Sequence, residues 1–238
     1  MSRRLTRLAL SACALLALGC NTPTRACDLP SDEIAMRALI TDSGESTQIY
    51  IVLEDVASST QLALCPDRES LTVNGEPTEL VRALGQLFYT VTFETSVPDY
   101  EIALTRDDPE LEDALASLEM PPEFEVLTPA PDSTHPRSDA LEISWAPVWN
   151  EHELELAVED EIASTCLSGL GVELQVTDSG TYTLPAGALV SGTPSGTEVC
   201  EVWISLTREA EGLYPSQLHP SGSILAQVKR RHLFSSSQ

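Results

Sequence analysis

The chain has 238 residues, of which 37 are Asp or Glu and 13 are Lys or Arg, so its formal net charge at pH 7 is −24. So acidic a surface repels nucleic acid phosphates and anionic lipid headgroups, which argues against direct nucleic-acid binding. Hydrophobic residues make up 42% of the chain. That is enough to bury cores, and the length suits two small modules better than one large one.

The N-terminus has the regions of an export signal. Met1 to Arg7 carries three arginines, and Leu8 to Leu18 is an apolar run too short to span a bilayer. The stretch Leu16-Ala17-Leu18-Gly19-Cys20 resembles the lipobox of bacterial lipoproteins. The resemblance implies a signal peptide over 1–19, cleavage before Cys20, diacylglycerol on its thiol and a fatty acyl group such as palmitate on its amino terminus. The mature chain would then carry 10 basic and 37 acidic residues, a formal charge of −27.

Two alternatives to the lipobox stay open. An ordinary cleaved signal peptide also fits, because Ala17 supplies a small residue three positions before the cut. A buried helix fits less well, since no charged residue interrupts 8–18. Lipidation also explains the otherwise unpaired Cys20, and several buried acyl chains anchor far more firmly than one. Residues 20–27 would form the lipidated cysteine and a short polar tether, so that the first module lies close to the membrane.

The six cysteines separate into three groups once the anchor is placed. Cys13 leaves with the signal peptide and Cys20 takes the lipid, which leaves an even number for an oxidising compartment: Cys27, Cys65, Cys166 and Cys200. Three pairings are possible, and Cys27–Cys65 with Cys166–Cys200 is favoured because each pair stays within one half of the chain. Chain entropy predicts up to about 4 kcal/mol of stabilisation per bridge. Metal binding is the weaker rival, because no CxxC occurs and the four histidines lack ligand spacing.

From residue 28 onward, apolar residues alternate with a period of two, which is typical of strands half buried against a core. Asn74-Gly75 is the strongest hairpin signal, since both residues tolerate positive φ. Short strands separated by turns predict a β-sandwich rather than a parallel sheet. The alternating segments are Ile34–Ile40, Ile49–Leu53, Leu62–Leu64, Leu71–Val73, Leu87–Phe93 and Tyr100–Leu104.

Residues 108–120 have two interpretations. Leucines at 111, 115 and 118 have helical spacing behind the start signal Asp108-Pro109. Positions 116, 118 and 120 equally form one face of a strand, and an acidic loop that leads into a closing strand is favoured. Pro121-Pro122 ends whatever precedes it. The predicted modules are therefore residues 28–121 and residues 122–238.

The second module has the clearer strand pattern. In 199–207 the side chain of Cys200 shares the inner face with apolar residues, which suits a buried bridge to Cys166. The last strand is expected to end near Val228, with the basic cluster 229–232 as a solvated strand end or a charge complement to the acidic body. The predicted strands are Leu141–Trp145, Leu154–Val158, Val172–Val176, Tyr182–Leu184, Val199–Thr207 and Ile224–Val228.

Three segments carry a family resemblance. Leu141-Glu-Ile-Ser-Trp145-Ala-Pro147, Ser179-Gly-Thr-Tyr182-Thr-Leu-Pro185 and the Cys200 strand resemble the immunoglobulin-like or fibronectin-III-like modules of bacterial surface lipoproteins. The resemblance implies two tandem immunoglobulin-like β-sandwich domains in the cell envelope and no particular activity. A faint internal repeat also links the halves: Leu104-Thr105-Arg106 and Leu206-Thr207-Arg208.

Catalytic and metal motifs are scarce. No GxSxG, HExxH or phosphate-binding loop is present. The pairs Asp107/Asp108 and Glu159/Glu161 have the chemistry of glycosidase carboxylates, but an exposed acidic loop accounts for them better. Oxygen ligands for calcium are abundant in two acidic clusters, yet neither forms an EF-hand loop. No catalytic residue, metal or cofactor is therefore predicted. The two clusters are 107–113, which holds Asp107, Asp108, Glu110, Glu112 and Asp113, and Glu159-Asp160-Glu161.

The sequence as a whole predicts a lipid-anchored cell-envelope protein with a non-catalytic binding or structural role. Its partners would be a bacterial membrane, through the lipid on Cys20, and a protein or glycan ligand in the envelope; the outer membrane, on its periplasmic or surface side, is favoured. Trp203 and Thr207 are candidates for a contact surface, because they share the outward face of their strand. The alternative is an accessory or catalytic module that acts on extracellular polysaccharide.

Overall fold

The computed structural model describes residues 24–160, 167, 171–190 and 199–237. The predicted signal peptide, Cys20, Glu161 and Cys166 lie outside these residues. Within them, helical structure is confined to two short 3-10 turns, Ala26–Asp28 and Ser31–Glu33, and no helix is long and apolar enough to cross a membrane. The predicted all-β fold class is confirmed.

Nine strands precede the Pro121-Pro122 break, and they follow the alternation of the sequence. In β1, for example, Ile34, Met36, Ala38 and Ile40 are buried, because successive side chains of a strand point to opposite faces of the sheet. The strands are β1 (Ile34–Asp42), β2 (Thr47–Asp55), β3 (Thr60–Gln61), β4 (Glu69–Val73), β5 (Glu76–Pro77), β6 (Glu79–Ala83), β7 (Gln86–Phe93), β8 (Asp99–Arg106) and β9 (Ala114–Glu119).

The ambiguous segment after β8 is a loop followed by a closing strand, as the favoured interpretation predicted. Asp108 turns the chain, since its carboxylate accepts a hydrogen bond from the Glu110 amide at 3.0 Å and its carbonyl accepts one from Leu111. In β9, Ala114, Ala116 and Leu118 are buried. The helical alternative is wrong. Leu115 lies on the outward face of β9, where its side chain is 54% exposed.

The second half of the chain forms a second sandwich. Its core includes Phe124, Trp145 and Phe234. Two of its strands, β16 and β17, are much longer than the mean strand of about five to six residues. The strands are β10 (Glu125–Thr128), β11 (Thr134–Pro136), β12 (Leu141–Ala146), β13 (Glu153–Asp160), β14 (Val172–Thr177), β15 (Thr181–Leu184), β16 (Val199–Glu211) and β17 (Ser223–Ser237).

One large sheet runs through both modules. Its strand order is β14-β13-β16-β17-β1-β2-β7-β6, with β11 added beside β17 and β3 beside β2. In the first module this sheet packs against β5-β4-β8-β9, and in the second against β10-β12-β15. The two modules are joined through β17, which pairs in parallel with β1 from Arg37↔Ser223 to Asp42↔Val228.

The first core is not built from residues 28–121 alone. Leu218, Ile224 and Ala226 are buried in it, and Ala210 and Tyr214 pack against its edge. The chain therefore returns from the second module to supply a strand and three core residues to the first. The predicted boundary at Pro121-Pro122 did not include this return.

The expectation that the last strand ends near Val228 is wrong. β17 continues through the basic cluster to Ser237, because β16 pairs with it along one side and β11 along the other. Arg230 forms an ion pair of 3.3 Å with Asp42 of the first module, so this part of the cluster does act as a charge complement. The guanidinium carbon of Arg231 lies 4.6 Å from the Trp203 ring centroid.

A tyrosine hydroxyl helps to hold the loop between β16 and β17 against β1, beside a hydrogen bond of 2.9 Å from the His219 amide to the Ile34 carbonyl. Tyr214 Oη accepts a hydrogen bond of 3.0 Å from the Met36 amide, and burial raises the pKa of the phenol. We expect Tyr214→Phe to lower the free energy of unfolding by about 1–3 kcal/mol, because the Met36 amide then stays buried without this acceptor. Urea unfolding at pH 7 measures the loss.

The raised pKa of Tyr214 also sets a pH dependence. Folding favours the protonated phenol, so its contribution is fully present below the unfolded-state pKa of about 10 and is lost as the pH rises through the higher folded-state pKa. Between pH 9 and pH 11 the wild type should therefore lose more stability than Tyr214→Phe. Parallel curves for the two proteins over this range would contradict the assignment.

Candidate functional site

The Leu-Thr-Arg repeat ends in two arginines that the structure buries. In the first module the side chain of Arg106 is fully buried and pairs with the equally buried Glu69 at 2.9 Å. Its other N–H groups donate to Ser31 Oγ at 2.9 Å and to the carbonyls of Ala26 and Leu29 at 2.6 and 2.8 Å. Arg106 therefore holds the segment that precedes β1 against the sandwich.

The Arg106 network lies next to the first disulfide, because Glu69 bonds both Arg106 and Cys65. Cys27 and Cys65 are bonded, with Cα atoms 6.0 Å apart, as predicted, and the Cys65 amide donates to Glu69 at 3.0 Å. The sulfurs of both cysteines lie near Glu69, but they are already committed to each other. Cys200 is also disulfide-bonded. Its expected partner Cys166 lies outside the described residues, so that pairing stays a prediction.

Arg208, the arginine of the second Leu-Thr-Arg, lies within β16 of the large sheet. It is completely buried, and its Nε and Nη2 donate to the two oxygens of Asp178 at 2.6 and 3.2 Å. Asp178 also accepts a hydrogen bond of 2.6 Å from Trp145 Nε1. The guanidinium carbon lies 4.5 Å from the Phe124 ring centroid.

The remaining donors of Arg208 reach backbone carbonyls of the segment that joins the modules and of the loop after β12. Nη1 donates to Pro122 at 2.8 Å and to Glu123 at 3.4 Å, and Nη2 donates to Pro147. A buried guanidinium is tolerated when its donors are paired in this way. Both arginines are thus structural fasteners, because their donors are used by the protein itself.

The predicted contact residues Trp203 and Thr207 have different positions. Thr207 is only 4% exposed, so the expectation that it forms part of a contact surface is wrong. It lies in register between Glu155 on β13 and Lys229 on β17, which flank it within the large sheet. Trp203 stays half-buried beneath Arg231 and remains a contact candidate.

Two carboxylates of the first predicted acidic cluster form bonds with neighbouring residues of the first module. Asp108 forms an ion pair of 2.6 Å with Arg68, and Asp113 accepts the amide of Arg106 at 2.7 Å. These bonds shape the turn that precedes β9. Glu159 is exposed at the far end of β13, and its expected neighbour Glu161 lies outside the described residues.

The outer face of the large sheet carries an apolar patch in the first module, which we call the outer-face patch. Tyr50, 40% exposed, lies beside Phe88 with ring centroids 5.7 Å apart. Leu39 is in register with Tyr50 on one side and Leu225 on the other. Half-exposed aromatic and aliphatic side chains of this kind are typical of protein contact surfaces.

A groove of about 730 Å³ opens at the end of the first module where the described chain begins. Thr24, the β3 strand and the β6–β7 loop line it, and we call this region the tether end. At the loop, Ala83 pairs with Gln86, and Leu84-Gly85 form a two-residue turn. Sequence reasoning missed this hairpin, because it lacks the Asn-Gly signature that such turns favour.

A second groove, of about 520 Å³, lies on the other side of the first module. Four carboxylates line it, together with Asn74 and the exposed Leu213, and they are Asp99, Glu101, Glu119 and Glu211. Asn74 is committed to the backbone there, since its side chain bonds Asp99 and Glu101 at 3.2 and 2.7 Å. The two grooves share no lining residue.

The architecture defines an all-β protein of two sandwich modules. No protein-family model matches the chain, and no curated protein matches it. The comparison with solved structures matches the chain to one titled "Crystal structure of DIP-gamma IG1+IG2", with 5% sequence identity and a TM-score of 0.22 over 87% of this chain and 99% of that one. A TM-score this low carries no argument about fold or function.

Proposed function

We propose that the chain is a lipid-anchored protein of the bacterial cell envelope, tethered through Cys20, that acts by binding or as a structural element. The sequence of residues 1–20 supports the anchor, and the Cys27–Cys65 disulfide supports an oxidising compartment. The buried arginine fasteners support a rigid body rather than a catalytic centre.

The observation that carries the proposal is the continuity of β17. This strand begins beside β1 near the tether end and finishes in the second module, a run of 15 residues. At about 3.3 Å per residue it is about 50 Å long. A lipid on Cys20 would therefore hold the first module at the membrane and the second module away from it, on a stiff arm.

The large sheet offers this arm a binding face. The outer-face patch and the half-buried Trp203 lie on the outward side of the same sheet. Aromatic side chains supply much of the binding energy at protein interfaces and also stack on sugar rings. The ligand would thus be an envelope protein or glycan that binds along this face.

The test of the anchor is Cys20→Ala, expressed in a bacterial host with a lipoprotein-processing pathway. The wild type should partition into the membrane fraction and leave it only with detergent, because several acyl chains bind a bilayer firmly. The variant should appear in the soluble fraction. Mass spectrometry of the N-terminal peptide supplies the control, since only the wild type should carry acyl mass. A membrane-bound Cys20→Ala protein would refute the anchor.

A further inference from the structure

We infer that the β6–β7 loop, residues 82–87, is a second membrane contact, which places Leu84 among the lipids beside the acylated Cys20. This inference rests on the anchor proposed above. The occupant of the tether end would be a phospholipid bilayer.

Chain length brings the loop to the membrane. Thr24, the first described residue, lies four positions after Cys20, and four extended residues span at most about 14 Å. Thr24 lines the same groove as the whole β6–β7 loop. A bilayer that holds the acyl chains of Cys20 therefore lies within reach of the loop.

Leu84 is an exposed apolar residue in a backbone conformation that leucine rarely adopts. It is fully exposed, and its φ is +51°, a left-handed conformation that is costly for a leucine. The turn Asn74-Gly75 has the same geometry, with φ of +49° and +82°, and uses the preferred residue. Asn74 also bonds the adjacent strand, whereas Leu84 is turned into solvent. An apolar side chain at this position gains most from lipid.

The charges of the tether end suit a phosphate-bearing surface. Among the residues that line the groove the one carboxylate is Glu54, which is paired with Arg37 at 3.2 Å, and the loops 56–60 and 83–87 carry no acidic residue. Arg25 and Arg82 are exposed there and have no ion pair within the described residues. By contrast, the arginines at 37, 68 and 230 each pair with a carboxylate. Guanidinium groups bind phosphate oxygens through paired hydrogen bonds.

The experiment places a fluorescent side chain at the loop of the full-length lipidated protein. Leu84→Trp is reconstituted into phosphatidylethanolamine and phosphatidylcholine vesicles whose acyl chains carry bromine, a contact quencher. The control is Leu213→Trp, since Leu213 is 75% exposed but lines the acidic groove. Subtracting the unsubstituted protein removes the emission of the three native tryptophans. We expect the added emission of Leu84→Trp to shift to the blue and to lose more than half its intensity, with Leu213→Trp unchanged.

The outcomes separate the loop contact from the anchor. Co-sedimentation of both variants with vesicles, without quenching of Leu84→Trp, would overturn the loop contact and leave the anchor in place. Failure of the lipidated protein to co-sediment would overturn the anchor and the loop contact together. Leu84→Asn supplies a second reading, because it restores the preferred turn residue. Its melting temperature should match or exceed that of the wild type, and a lower value would show that Leu84 serves folding instead.

Discussion

Replacement of Arg208 by methionine should lower the free energy of unfolding by about 3–5 kcal/mol, the cost of leaving a buried carboxylate without its partner. Asp178 is fully buried, and the ion pair with Arg208 is what balances its charge. Methionine fills a similar volume but donates no hydrogen bond, so the carbonyls of Pro122 and Pro147 lose a donor as well. Urea unfolding followed by tryptophan fluorescence measures the effect, because Trp145 bonds to the same carboxylate.

Two further variants separate charge from packing. Arg208→Met combined with Asp178→Asn removes both charges and keeps an oxygen for Trp145, so the double variant should be more stable than Arg208→Met alone. Arg37→Met breaks the ion pair with Glu54, in which the arginine side chain is 55% exposed, and should cost at most about 1 kcal/mol. If Arg208→Met were no more destabilising than Arg37→Met, the buried pair would not be a fastener.

Much of the fold is predictable from the sequence because most strands have one buried face. The period of two over Ile34–Ile40 and Tyr100–Leu104 fixes both the strands and the side chains that enter the core. Asn74-Gly75 identifies its hairpin through its own backbone preference. The Cys27–Cys65 bridge was predictable because each half of the mature chain holds one pair of cysteines.

The lengths of β16 and β17 were not predictable, because charged residues occupy inward positions along them. Arg208 interrupts the apolar series of β16 and Arg230 that of β17, and a local pattern treats each as a strand end. In the structure their tertiary partners, Asp178 and Asp42, make those positions tolerable. Partners 30 and 188 residues away along the chain cannot be identified from local periodicity.

The candidate functional residues also separate into those that the sequence predicts and those that only the structure identifies. The lipidation of Cys20 stays a prediction from the linear motif around it, because Cys20 lies outside the described residues. The role inferred for Leu84 depends on two facts that only the structure supplies, namely its full exposure at a turn and the position of that turn beside Thr24. Thr207 shows the opposite error: strand alternation predicts that it faces outward and is accessible, but between β13 and β17 it is only 4% exposed.

Separation of the modules at the predicted boundary should abolish folding of the first module. A fragment of residues 24–121 lacks Leu218, Ile224 and Ala226, which are buried in its core. Loss of a single large core side chain costs about 2–5 kcal/mol, against a total stability of about 5–15 kcal/mol for a natural domain. The fragment also loses the parallel partner of β1 and the hydroxyl that binds the Met36 amide. We expect it to show no cooperative thermal transition by circular dichroism.

Return of the missing segment should restore the transition, which distinguishes a missing strand from a generally unstable fragment. Residues 210–228 can be joined to residue 121 by a short Gly/Ser linker, because the backbones of Ser117 and Leu213 already exchange hydrogen bonds of 3.3 and 2.7 Å. The matched control carries Ile224→Asp in the same segment, which places a charge in the core. Cooperative unfolding of 24–121 alone, at the melting temperature of the full chain, would show that the returning strand is dispensable. If only the unsubstituted segment restores the transition, the folding unit of the first module includes part of β16 and β17. The two modules then cannot bend relative to each other at Pro121-Pro122 without breaking the large sheet.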